Sequence, residues 1–186
     1  MSICVAVKKN GKIAFGADTL VTFGDLKPSQ GNVCESKFRK IGNVYLATTG
    51  WSLYDNIIDD MYAESKDISI ESRSDVFSFF KKFWDKLHKD YSFVNDQCGD
   101  DDSPFGHLDS SFLVTTTNNI FYVSSNMSVT EFDKFHAIGS GCDFAIGAMY
   151  SVYEGESSVT QIAQTGIKAA IEHDVHCGGE IEVIEL

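Results

Sequence analysis

The chain reads as an α+β protein in which two antiparallel sheets are sandwiched between helical layers. Three observations predict this. Short apolar runs and segments of helical spacing come in blocks: strands, two helices, strands, two helices, strand. The helices come in pairs, which favours antiparallel sheets with helices layered outside them. Asn10-Gly11, set between two apolar runs, is the strongest short-range hairpin signal.

The elements follow in order. Ile3-Cys4-Val5-Ala6-Val7 is an apolar strand, and Lys8-Lys9-Asn10-Gly11 turns it into a second strand, Lys12 to Ala17, that ends on Asp18. Residues 19–36 lack periodicity and hold Gly24, Pro28, Ser29 and Gly31, so they read as a loop with short strand pieces. Lys37–Ile41 and Val44–Gly50 are strands around a Gly42-Asn43 turn. Apolar residues at 53, 57, 58, 61 and 62 recur at helical spacing. Val76, Phe79, Phe80, Phe83, Trp84 and Leu87 form a second helical stripe with lysines opposite. Residues 92–109 break the pattern, with a turn-rich acidic loop at Asp100-Asp101-Asp102-Ser103-Pro104. Strands at Ser111–Thr116 and Ile120–Ser125 flank Asn118-Asn119, and Phe135–Ile138 enters Gly139-Ser140-Gly141. Phe144, Ala145, Ala148, Met149 and Val152 predict a helix; the next opens at Ser157 or Ser158, good N-cap residues, and runs through Ile171. An alternating strand, Glu180–Leu186, closes the chain.

A chain of 186 residues, 43% hydrophobic and 12% aromatic, favours one domain over 1–186 with a real core. No apolar run approaches the ~18 residues of a membrane span, and the N-terminus does not read as a secretory signal, so the expected location is cytoplasmic. A net charge of −12 argues against nucleic acid and anionic membranes as partners. Cys4, Cys34, Cys98, Cys142 and Cys177 are odd in number and outside any CxxC pair, so buried reduced thiols are expected rather than a disulfide framework or zinc ribbon.

The first residues also carry chemistry. Removal of Met1 would place a hydroxyl and an α-amine on one residue, Ser2, at the tip of a buried strand. That pairing is a self-contained nucleophile and base. The reference pKa of an α-amine, about 7.7–8.0, lies near cellular pH, so the amine can take the hydroxyl proton directly or through one water.

The order Ser2, Asp18, Lys37, Gly50, Gly139-Ser140-Gly141, Asp174 resembles the proteasome β-subunit superfamily of N-terminal nucleophile hydrolases. The likeness is greatest to bacterial HslV-like peptidases and bacterial proteasome homologues. It is carried by Val7-Lys8-Lys9-Asn10-Gly11, Ala17-Asp18-Thr19 and Ala137–Gly141 with Phe144-Ala145, and it spans essentially the whole chain, most weakly at 64–109. The resemblance implies a four-layer αββα fold and a homo-oligomeric double ring with its active sites inside. It implies that Ser2 attacks the peptide carbonyl, that Asp18 and Lys37 form the ion pair beside it, and that the Gly50 amide lines the oxyanion hole. Ser140, Asp174 and Cys177 would hold the amine. The expected substrate is a peptide or unfolded polypeptide, with an ATPase unfoldase as a partner and no cofactor or metal.

Each role has a physical reason. A lysine ammonium beside the amine keeps the amine neutral and favours the alkoxide, and a carboxylate should pair with such a buried lysine. A glycine at a strand end lets its N–H approach an oxyanion. Taken singly, Ser2 is an ordinary second residue, Asp18 a hairpin end and Lys37 a solvated strand charge; the ordered set gives them weight.

Other motifs read as structure. Gly139-Ser140-Gly141 is a tight strand-to-helix turn rather than a phosphate loop, because Phe144 stands where the third glycine belongs. His173-Asp174-Val175-His176-Cys177 has His-x-x-His spacing, but Gly178-Gly179 ends the element, which makes a weak transition-metal motif. The likeness to HslV would allow only a main-chain cation site there. The Phe79/Phe80/Phe83/Trp84 stripe reads as core or subunit interface. Two departures from the family stand out: serine replaces the usual threonine nucleophile, and Cys177 stands where many relatives carry serine. These support the alternative of a silent ring scaffold; a hydrolase of small amides is the rival within the same enzyme class.

Overall fold

The computed structural model describes residues 2–29, 32–33, 36–64, 68–91 and 106–186. The acidic loop at 99–103, Cys34, Cys98 and Met1 lie outside these. The elements are β1 (Ile3–Lys9), β2 (Lys12–Asp18), β3 (Phe38–Ile41), β4 (Val44–Gly50), α1 (Leu53–Glu64) and α2 (Arg73–Asp90). They continue with β5 (Ser110–Thr115), β6 (Ile120–Val123), β7 (Val129–Phe132), β8 (Phe135–Gly139), α3 (Cys142–Tyr153), α4 (Val159–His173) and β9 (Ile181–Glu185).

The strands form two antiparallel sheets, ordered β8-β1-β2-β9 and β3-β4-β5-β6-β7. Strand periodicity sorts the side chains into three apolar layers. Ile3, Val5 and Val7 of β1 pack with Ala145, Met149, Ile162 and Ile167 under α3 and α4. The intervening Cys4 and Ala6 join Ile13, Phe15 and Ala17 of β2 against Ala47, Leu113 and Ile120 of the second sheet. Phe112 and Val114 turn the other way, into Phe80, Phe83 and Tyr54 of α1 and α2. The result is the α+β sandwich expected, with four layers in the order α3/α4, first sheet, second sheet, α1/α2. Both faces of β1 are therefore covered, which explains a run with no polar residue from 3 to 7.

Local signals account for the element ends. Asn10 and Gly11 take φ of 53° and 75°, the left-handed pair that a two-residue hairpin turn requires. Ser72 and Asp75 form a reciprocal capping box at the start of α2, and Ser158 and Gln161 do the same for α4. Phe79, Phe80 and Phe83 are core, and Trp84 packs half-buried against them. In the 19–36 stretch, the described residues contain one isolated bridge, Phe23 to Leu26.

Two differences from the sequence reading have physical causes. β3 starts at Phe38 rather than Lys37, because Lys37 turns out of the strand toward Asp18. β7 has no counterpart in the sequence reading. It is a four-residue edge strand in which only Val129 is buried, so its apolar period is too short to register.

Candidate active site

Ser2 lies immediately before β1 and is buried. The β1–β8 register puts Ile3 opposite Gly139, so the Ser2 carbonyl rests on the Gly139 backbone. A Cβ at Gly139 would collide with that carbonyl, and its φ of +106° favours glycine independently. The β8–α3 corner therefore clasps Ser2 from one side.

Asp18 ends β2 on the other side, with its side chain fully buried. One carboxylate oxygen accepts from the Ile3 amide at 3.0 Å and from the Lys37 ammonium at 2.6 Å. The other accepts from the Gly178 amide at 2.8 Å. One carboxylate thus joins the residue after Ser2, the lead into β3 and the turn after α4. Lys37 is itself nine-tenths buried, so the pair is desolvated, and removing either partner would strand a charge at a cost of roughly 3–5 kcal/mol.

A second cluster sits next to the first. Asp174 caps the C-terminus of α4 and accepts from the His176 amide at 3.0 Å and from the Cys177 thiol at 3.5 Å. The Ser140 hydroxyl is a hydrogen-bond partner of both Asp174 and Cys177. Burial pushes the Asp174 carboxyl up, but the hydrogen bonds from Ser140, the His176 amide and Cys177 outweigh it, so the group lies below the usual carboxylate range. Burial, with the charges of Asp18 and Asp174, pushes the Cys177 thiol up to about 12. Cys177 is therefore a protonated donor at neutral pH, not a reactive thiolate. Gly141 makes the cluster possible: a Cβ there would stand 2.9 Å from the Cys177 sulfur and 2.6 Å from the Ala170 side chain. Cys4 is wholly buried beneath, and burial raises its thiol as well.

Gly50 comes from the second sheet. It ends β4 with φ of +118°, paired with Ser110 of β5. A Cβ there would meet the Asp109 carbonyl and stand 2.5 Å from the Ser110 hydroxyl. Its neighbour Thr49 packs against Gly139, which brings this strand end to the Ser2 corner. Residues from both sheets thus converge on the start of β1.

Sequence reasoning did not find Gly178 or Ser110, and it read Gly139 only as part of a turn, not as the residue that admits the Ser2 carbonyl. Gly178 was read only as a helix terminator, and nothing local distinguishes an amide that serves a carboxylate 160 residues away. The His-x-x-His spacing does not place two rings on one helical face, because α4 stops at His173, which packs on Phe144. Among the described residues no three His, Cys, Asp or Glu side chains gather as a metal site would need. No described helix is long and apolar enough to cross a membrane.

No protein-family model matches the chain. It is 28% identical over 190 residues to the ATP-dependent protease subunit HslV of Sulfurovum sp. (strain NBC37-1), covering 96% of this chain and 94% of that one. It is 28% identical over 185 residues to the same subunit from Borreliella burgdorferi (strain ZS7), covering 98% and 94%. Among solved structures it superposes on Thiobacillus denitrificans BPH with a TM-score of 0.89 and 29% identity, over 99% of this chain and 97% of that one. BPH in complex with epoxomicin gives 0.88, with the same identity and coverage. HslV from Trypanosoma brucei shares the fold, with a TM-score of 0.72 and 18% identity over 99% and 98% of the two chains. In sequence over nearly its full length and in its four-layer arrangement, the chain is similar to the HslV-like members of the proteasome β-subunit superfamily.

Proposed function

We propose that the chain is one proteasome-β-like domain over 1–186, the subunit of a ring-shaped, self-compartmentalising peptidase. It cleaves peptide bonds with Ser2 as nucleophile after Met1 is removed. The observation that carries this reading is the buried Asp18–Lys37 pair, whose carboxylate also holds the amide next to Ser2.

The chemistry runs as follows. The Ser2 α-amine takes the hydroxyl proton while Oγ attacks the carbonyl carbon. The Lys37 ammonium disfavours a second cation nearby and favours the developing alkoxide. The Gly50 N–H receives the oxyanion. Ser140, Asp174 and Cys177 orient the amine, which then protonates the leaving nitrogen. Water activated by the same amine hydrolyses the acyl-enzyme. A retained Met1 would tie up the amine as an amide and silence the site. Peptides and unfolded polypeptides are the substrates, the homo-oligomeric double ring is the working form, and an ATPase unfoldase in the cytoplasm feeds it. The named relatives are subunits of an ATP-dependent protease, which supports that partner class.

A silent scaffold is the second reading, favoured by serine in place of threonine at position 2 and by Cys177. Intact mass of the untagged protein after exposure to a β-lactone separates the two. Loss of Met1 with one adduct on Ser2 is expected, with adduct and peptidase activity both lost in Ser2→Ala, the latter by about a thousandfold or more. A chain that keeps Met1 and takes no adduct would overturn the peptidase mechanism.

A further inference from the structure

A cavity of about 770 Å³ opens beside Gly50 and Ser140, with Asp18 and Lys37 outside its lining. The start of β5 forms one wall and the β8–α3 corner the other. Ser110 lines it and is 5% exposed, yet its hydroxyl has no hydrogen-bond partner among the described residues. A buried hydroxyl without a partner is costly, on the order of 1–3 kcal/mol, so a ligand that satisfies it gains from doing so.

The rest of the lining describes that ligand. Asp109 and Asp143, both exposed, stand on the two walls. Tyr122 and His136 line the cavity with their rings in edge-to-face contact at 4.9 Å, and His136 stacks on Phe132 at 4.0 Å. Burial holds His136 down to about 4, so its imidazole is neutral at cellular pH. His107 and Cys142 also line the cavity. The cavity thus pairs acidic walls with an aromatic face.

Position decides what enters. On the peptidase reading, the proton returned to the leaving nitrogen comes from the Ser2 amine, which Ser140, Asp174 and Cys177 orient. The peptide segment after the scissile bond must therefore leave past Ser140, into this cavity. Resting on the peptidase reading, we propose that the cavity is the leaving-group subsite. It selects a basic residue immediately after the scissile bond. The aliphatic stem of a lysine or arginine lies along Tyr122 and His136, its cation sits between Asp109 and Asp143, and the Ser110 hydroxyl bonds the departing main chain.

The test uses the assembled wild-type protein and internally quenched peptides that differ only at the residue after the cleaved bond. Lysine or arginine there is expected to raise kcat/KM about tenfold over aspartate. The ratio should fall toward one in Asp109→Asn/Asp143→Asn. Because each ratio is taken within one preparation, the fraction folded cancels. A β-lactone run in parallel reports on Ser2. Labelled Ser2 with a flat or acidic preference overturns the subsite and leaves the peptidase reading standing. Absent labelling and absent cleavage overturn both.

Discussion

Asp18 shows how one side chain can organise a site. Its two oxygens take an ammonium and two amides from three segments, leaving it fully desolvated yet fully paired. Asp18 and Lys37 were legible in the sequence as residue types in family order; the amide donors were not, because any residue offers one. His136 makes the complementary point, since a half-buried ring next to two aromatics gave no sequence signal. An unfolded histidine takes a proton near pH 6.5, whereas the folded His136 does so only near 4. Between these values the unfolded chain binds more protons, so stability falls as pH drops through that window and levels off below it. For a half-buried ring the loss is roughly 1–2 kcal/mol. Urea midpoints at pH 7 and 4.5 check this: the drop should shrink by that amount in His136→Phe, and an equal drop in both proteins would refute it.

At the scale of elements, amphipathic helices and their caps were the most legible features. α4 is the most consequential, because its end delivers Asp174 and its flank admits Gly141 beside Ala170. Its capping box satisfies two amides that α4 would otherwise leave unpaired. Ser158→Ala is expected to lower unfolding free energy by about 1 kcal/mol, read from a urea melt, with an unchanged m-value. A null result would mean that packing under α4 masks the cap. Strand ends were less legible than helices. β3 starts one residue late because an ion pair redirects Lys37, and β7 escapes notice because an edge strand with one buried residue has no period to read.

For the whole molecule, the two sheets meet through small and apolar side chains, and their ends converge at Ser2 and Gly50. The surface leaves Trp51 63%, Phe77 51% and Tyr150 76% exposed, on the β4–α1 turn, α2 and α3. The proposed ring would cover such residues. Native mass spectrometry is expected to give a multi-subunit particle, and Trp51→Glu together with Tyr150→Glu to shift it toward smaller species. A monomer at micromolar concentration would count against the ring.

The sequence by itself determined the fold class, nearly all the elements and the residue types that gather at the candidate site. Those properties follow from periodicity, turn chemistry and residue order, which are local or linear. Only the tertiary structure decided that Gly178 holds Asp18, that Gly139 admits the Ser2 carbonyl, and that Ser110 and His136 face one cavity. These depend on pairing register and on sheets meeting across more than a hundred residues. Such contacts are set by the packing of the whole core, which no local pattern encodes.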